Sequence, residues 1–198
     1  VDKIMMVDQS PAEETVAVIK SEKIFGGCPG HNMSTALKRL GAPFPVEGMG
    51  LLGDDADGEY LLSICKEMGI GTAAMEVRKG IATPVTLVMS SLANRKRTFF
   101  TVPGAHALQT PDDFDFTTPR ARIAHLGLPG FHEKLDVRWG DDASGWVTVL
   151  KKARREYPQL DDLVVKKIRS REIERAVDVR DGLKKIVEAK FDFRVLTN

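Results

Sequence analysis

Cysteine is scarce in this sequence: Cys28 and Cys65 are the two in 198 residues, and no C-x-x-C pair occurs. That excludes a disulfide scaffold and fits a reducing compartment. No apolar run approaches the ~18 residues of a membrane span, and Val1-Asp2-Lys3 opens the chain without signal-peptide character. The expectation is a cytoplasmic protein with no membrane partner. A surplus of one charge sign is missing too. The 29 Lys+Arg stand against 28 Asp+Glu, a formal net charge of +1, which excludes a strongly basic nucleic-acid binder. Internal repeats and low-complexity tracts are absent. What is present is an ordinary globular composition, 42% hydrophobic and 29% charged. A chain of this length buries roughly 70% of its unfolded surface and needs no metal or disulfide to support a core.

Ile4-Met5-Met6-Val7 and Val16-Ala17-Val18-Ile19 are β-prone runs on either side of the turn chemistry Gln9-Ser10-Pro11, and both read as strands. Gly26-Gly27-Cys28-Pro29-Gly30 is a glycine-rich turn. After it, Met33, Ala36, Leu37 and Leu40 keep the i, i+3, i+4, i+7 spacing of an amphipathic helix, which Gly41 stops. Val46 to Leu52 reads as a buried strand, and a second helix carries Tyr60, Leu61, Ile64, Cys65 and Met68 on one face before ending at Gly69 and Gly71. Strand and helix alternating in this way predict βαβ units around a parallel sheet. Pro84 to Met89 and Arg97 to Val102 predict a hairpin, Ile123 to Gly127 a short strand, Trp146 to Arg155 a helix, and Asp162 to Val165 another strand. From Lys166 to Lys190 charge is dense, and one or two solvent-facing helices are expected. The domain expectation is an α/β core over residues 1–160 and a charged, mainly helical tail over 161–198.

The stretch from Gly26 to Gly41 is where chemistry could sit. Paired glycines ahead of a helix let backbone approach a ligand closely and present free N–H groups. Asn32 can both donate and accept, which suits a polyol hydroxyl. The plainer reading makes Gly26 and Gly27 a tight turn and Asn32 a helix cap; the residues alone leave both open. Elsewhere the signals are weaker. Cys28 and His31 are two ligands, short of the four a structural zinc site wants. Asp54, Asp55 and Asp57 lack the register of a calcium-binding EF-hand loop and read as a helix start. Lys151, Lys152, Arg154 and Arg155 form a basic face without interleaved aromatics, which reads as solvated rather than RNA-binding. No G-x-x-x-x-G-K-[ST] loop occurs.

In order along the chain stand Gly26-Gly27-x-x-Gly30-x-Asn32-x-Ser34, Arg39-Leu40-Gly41, Gly53-Asp54-Asp55-x-x-Gly58 and, after a hairpin, Pro103-Gly104-Ala105. This series resembles the pfkB (ribokinase-like) family of carbohydrate kinases, over about Val1 to Pro158. The resemblance implies an α/β, doubly wound, mostly parallel sheet flanked by helices, incomplete at the C-terminal side. A small β-lid would occupy about residues 3–25 and 83–102. It implies transfer of the ATP γ-phosphate to a hydroxymethyl group of a sugar, related polyol or nucleoside, with ATP and Mg²⁺ as cofactors. By the same resemblance Asp2 and Asn32 look like ligands of substrate hydroxyls, Gly26 and Gly27 like the hinge pair under the lid, and Gly104 like part of the substrate-tuning region.

Three departures accompany the likeness. The loop between Gly27 and Asn32 is one residue longer than the family's pattern, and the strand that would precede Asp2 is missing or cut to a stub. The family's Gly-Ala-Gly-Asp type motif, whose amides form an anion hole and whose Asp acts as base, has no counterpart. Where the family carries Asn-x-x-Glu after a strand like Asp162-Leu163-Val164-Val165, this chain has Lys166 and Arg169. No residue is therefore assigned as catalytic base or anion hole. The expectation is a kinase chain supplying mainly the substrate-binding half, the alternative being a catalytically incompetent sugar-binding or oligomerisation remnant. Lid strands with open edges could also pair two copies as a homodimer.

Overall fold

The computed structural model describes residues 1–117, 123–127 and 129–156 in full and residues 162–166 and 193–196 as backbone strands. In chain order the elements are β1 (Asp2–Val7), β2 (Ile19–Phe25), α1 (Pro29–Arg39), β3 (Glu47–Gly53), α2 (Ala56–Glu67), β4 (Gly71–Arg78), β5 (Val85–Ser91), β6 (Arg97–Val102), the short α3 (Ala105–Leu108), β7 (Ile123–Leu126), α4 (Gly145–Glu156), β8 (Asp162–Lys166) and β9 (Phe193–Leu196).

The strands hydrogen-bond in three sets: β2-β1-β5-β6, β3-β4 and β7-β8-β9. Parallel pairing joins β1 to β5, β3 to β4, β7 to β8 and β8 to β9, while β1–β2 and β5–β6 are antiparallel. The architecture is α/β and mostly parallel, as the sequence pattern implied. The unit β3–α2–β4 shows why, because a parallel neighbour can be reached only by a crossover and the helix provides it. The segments 3–25 and 83–102 meet in the four-stranded sheet, whose outer strands β2 and β6 are exposed along their whole length.

One expectation is corrected, and two strands stand where none was expected. The apolar run from Val16 to Ile19 is not the second strand: Val16 and Val18 are 93% and 69% exposed, and β2 begins at Ile19 and runs through Lys20-Ser21-Glu22-Lys23. A strand wet on both faces needs no apolar alternation, so hydrophobic pattern misplaces it. β4 follows directly on the glycines that end α2, and pairing with β3 makes a strand of a segment with weak alternation of its own. In the tail, Phe193–Leu196 is strand, paired parallel with β8. Residues 167–192, including Arg169 and nearly all of the predicted helices, lie outside the described residues, as does the predicted domain boundary near residue 160.

The largest buried cluster gathers Phe114, Phe116, Leu126, Leu135 and Trp146 with Val149, Leu150 and Ala153 on the inner face of α4. Asp136 ties the loop ahead of α4: its carboxylate accepts from Gly130 N, His132 N and Trp146 Nε1, each at 2.8 Å. The His132 ring lies between His106 of α3, tilted against it at a centroid distance of 4.5 Å, and the Trp146 indole, which it meets edge-on at 5.0 Å. On the outer face of α4, Lys151 pairs with Asp142 and Arg155 with Glu156, so part of the basic stripe is neutralised within the fold.

The Gly53-Asp54-Asp55-x-x-Gly58 string is explained by packing. Asp55 is the N-cap of α2 and accepts from Gly58 N at 2.9 Å and from Thr83 N at 2.7 Å, and Thr83 Oγ1 accepts from Gly53 N at 3.0 Å. A Cβ on Gly53 would fall 2.7 Å from the Ala82 carbonyl carbon, and one on Gly58 2.9 Å from Thr83 Oγ1. The string therefore clasps the β3–α2 turn to the root of β5. Burial alone would raise the Asp55 carboxyl, but its hydrogen bonds from Thr83 and Gly58 hold it below the ordinary carboxylate range.

Candidate functional site

The register of β1 with β2 sets Asp2 opposite Phe25, so the residue that opens one strand lies beside the glycine pair that follows the other. Gly27 is buried against Asp2: a Cβ there would come 2.6 Å from Asp2 Cγ. Gly26 is covered by the His31 ring, and a Cβ there would come 2.7 Å from His31 Cε1. The two glycines thus leave the space into which a carboxylate and an imidazole fit, a stricter demand than a tight turn alone makes.

Helix α1 starts immediately after them. Cys28 is its N-cap residue, at φ 72°, a backbone conformation sparsely used by residues other than glycine, and it makes no side-chain capping bond. Pro29 holds the first helical turn, where a missing N–H costs nothing. Asn32 N donates to Cys28 O at 3.0 Å, which puts Asn32 inside the first turn rather than at the cap. Of the two readings of Asn32 left open by the sequence, the capping one is overturned. Thr35 and Ser34 turn inward, donating to His31 O at 3.0 Å and Gly30 O at 2.9 Å.

Asp2, Gly26, His31, Asn32, Arg39 and Tyr60 border one cleft of about 590 Å³ between the β1–β2 ladder, α1 and α2. The Tyr60 hydroxyl donates to Ile24 O at 3.0 Å and fastens α2 to β2 along its rim. Among the described residues, the side chains of Asp2, His31 and Asn32 have no hydrogen-bond partner. Burial lowers the His31 imidazole below its ordinary range, Arg39 adds to that, and Asp2 opposes it. Acceptor, donor and mixed groups therefore converge on one space that a polyhydroxylated molecule can occupy.

Gly104 is not among the residues bordering this cleft. It has φ 50° at the N-cap of α3, a Cβ there would lie 3.1 Å from the Ala82 carbonyl carbon, and Ala105 N donates to Ala82 O at 2.9 Å. Close backbone approach accounts for that glycine. Asp57 forms an ion pair with Lys3 at 2.9 Å, so two members of the acidic string, Asp55 and Asp57, are engaged in packing. Among the described residues no group of three His, Cys, Asp or Glu side chains could hold a metal, and Cys28 and His31 acquire no further ligand. Among the described residues none is assigned to a nucleotide or its metal. Sequence reasoning missed His31, Thr35 and Arg39 as cleft residues. Their spacing of four, one helical face, was the available signal.

Residues 1–128 match the pfkB family carbohydrate kinases. The chain belongs to this family. A fructokinase from Solanum tuberosum is 30% identical over 128 residues, which are 62% of this chain and 39% of that protein. The pfkB chain thus spans about two fifths of the length of that curated relative. Among solved structures, ribokinase from Giardia lamblia superposes with a TM-score of 0.65 at 16% identity, covering 86% of this chain and 49% of that one. Fructokinase from Xylella fastidiosa with bound ATP gives a TM-score of 0.60 at 20% identity, covering 91% and 55%. These likenesses show the ribokinase-like fold of the chain.

Proposed function

We propose that this pfkB chain binds a sugar, related polyol or nucleoside in the Asp2–Asn32 cleft and contributes the substrate-binding half of an ATP-dependent phosphotransfer to a hydroxymethyl group. The observation that carries the reading is the convergence of Asp2 and Asn32, neither with a hydrogen-bond partner among the described residues, on one cleft beside the Gly26-Gly27 turn. An ionised carboxylate accepts strongly from vicinal hydroxyls, and an amide beside it reads their direction. In this reading the β2-β1-β5-β6 sheet is a lid that closes over the substrate and excludes water, with Gly26 and Gly27 as its hinge. ATP with Mg²⁺ would supply the phosphoryl group. This chain's own part is to bind the acceptor and orient its hydroxyl, and no step is assigned to a base or anion hole within it.

A second reading, a sugar-binding remnant without turnover, is favoured by the missing Gly-Ala-Gly-Asp type string. Isothermal titration with pentoses, hexoses and nucleosides, followed by an ATP-consumption assay, separates the two. Binding with ATP turnover supports the kinase. Binding without turnover at high protein concentration leaves the remnant, and no binding at all removes both. A cytoplasmic location belongs to the same proposal and is motivated by two free cysteines, Cys28 and Cys65.

A further inference from the structure

We infer that His31 is a specificity-determining residue of the Asp2–Asn32 cleft, its imidazole hydrogen-bonding one hydroxyl of the polyol that Asp2 and Asn32 hold. The inference rests on the polyol reading above and adds to it the group that discriminates among polyols. Three observations support it. First, the ring has a built seat: it lies directly on Gly26, which any side chain would fill, so the local sequence keeps room for an imidazole in the wall of the cleft. Second, His31 borders the same space as Asp2 and Asn32, and neither ring nitrogen has a hydrogen-bond partner among the described residues. A half-buried imidazole left unpaired by the protein is open to pairing by a ligand. Third, burial and Arg39 favour the uncharged ring over the pull of Asp2. An uncharged imidazole offers one donor and one acceptor, and a hydroxyl can answer either.

His31, Thr35 and Arg39 follow one another at a spacing of four and border the cleft from one face of α1. His31 belongs to α1, so the height of the ring above Gly26 is set by the helix rather than by a loop. A fixed polar group discriminates by what it leaves unpaired. A sugar lacking the matching hydroxyl strands the imidazole without a partner, whereas a site lacking the imidazole no longer distinguishes the two sugars.

The test is calorimetric titration of the whole chain and of His31→Ala, His31→Gln and Asp2→Asn with D-fructose, D-ribose and inosine, and with monodeoxy analogues of whichever binds. Thermal melts report folding of each variant. The expected result is that His31→Ala weakens the parent ligand by about 10–100-fold, binds one monodeoxy analogue as well as the unmodified chain does, and keeps its melting temperature. His31→Gln, which retains a donor and an acceptor, should recover part of the loss. Should His31→Ala fail to fold, His31→Gln and Gly26→Ala, which displaces the ring, carry the same comparison. If His31→Ala binds the parent and every analogue like the unmodified chain while Asp2→Asn has lost binding, the polyol site stands and the role of His31 is overturned. If the unmodified chain binds none of the three, the polyol reading itself fails and this inference with it.

Discussion

Acidification from about pH 7.5 to about pH 5.0 perturbs the ring cluster of His106, His132 and Trp146 in a way that can be worked out beforehand. Burial first, and then the neighbouring His132, lower the His106 imidazole from 6.5 to about 3. In the unfolded chain the same ring takes up a proton at about 6.5. Between those values the unfolded state binds a proton that the folded state refuses. The stabilising contribution is therefore fully present above pH 6.5 and is lost progressively as the pH falls toward 3. At pH 5.0 the gap is about 1.5 units, and at 1.36 kcal/mol per unit the loss is about 2 kcal/mol. Carboxylates with lowered values, such as Asp113 and Asp142, also lose their contributions on acidification. They cancel when His106→Gln is compared with the unmodified chain at each pH. Urea unfolding of both proteins at steps between those two pH values is the assay, with the slope against urea checked for constancy. His106→Gln should be the less stable protein at neutral pH, and its deficit should shrink by about 2 kcal/mol at the acid end. A difference that stays flat across the range would refute the reasoning, because the ring would then take up its proton in the folded state as it does in the unfolded chain.

Trp146 is 2% exposed and donates to Asp136, so Trp146→Ala should cost about 3–5 kcal/mol in urea or thermal unfolding. Asp55→Ala removes the cap of α2 and strands the N–H of Thr83, itself 1% exposed; a loss of about 2–4 kcal/mol is expected from the same measurement. Gly27→Ala drives a methyl into the Asp2 carboxylate, and calorimetry should show sugar binding weakened by more than about tenfold. Dimerisation through the lid would use strand edges. Residues Val85 to Met89 lie in β5, flanked by β1 and β6, and offer no edge, whereas Phe100 on β6 is 54% exposed. Sedimentation velocity should show a dimer for the unmodified chain and a monomer for Phe100→Lys.

Much of the core was legible because its periodicities are strong. The second helix announced itself through Leu61, Ile64 and Cys65, and the hairpin of β5 and β6 through its β-branched and aromatic runs. β2 was not legible, because Lys20-Ser21-Glu22-Lys23 pairs through its backbone and buries almost nothing. β4 was hidden for a different reason: its partner β3, rather than its own pattern, makes it a strand. At the site, the glycines and Asn32 were legible as motif residues. Their meeting with Asp2 was expected through the family resemblance alone, since physically it depends on the ladder that sets Asp2 opposite Phe25. His31 was read as half of an incomplete metal pair, and only its seat on Gly26 gives it another use.

That ladder has a mechanical corollary. Asp2 heads one strand of an antiparallel pair and Gly26 follows the end of the other, so two walls of the cleft are the two ends of a single ribbon. A ligand that bridges them would splint the ribbon at its open end. Hydrogen-exchange protection should then rise along β1 and β2 as far as Val7 and Ile19, well beyond any atom the ligand touches.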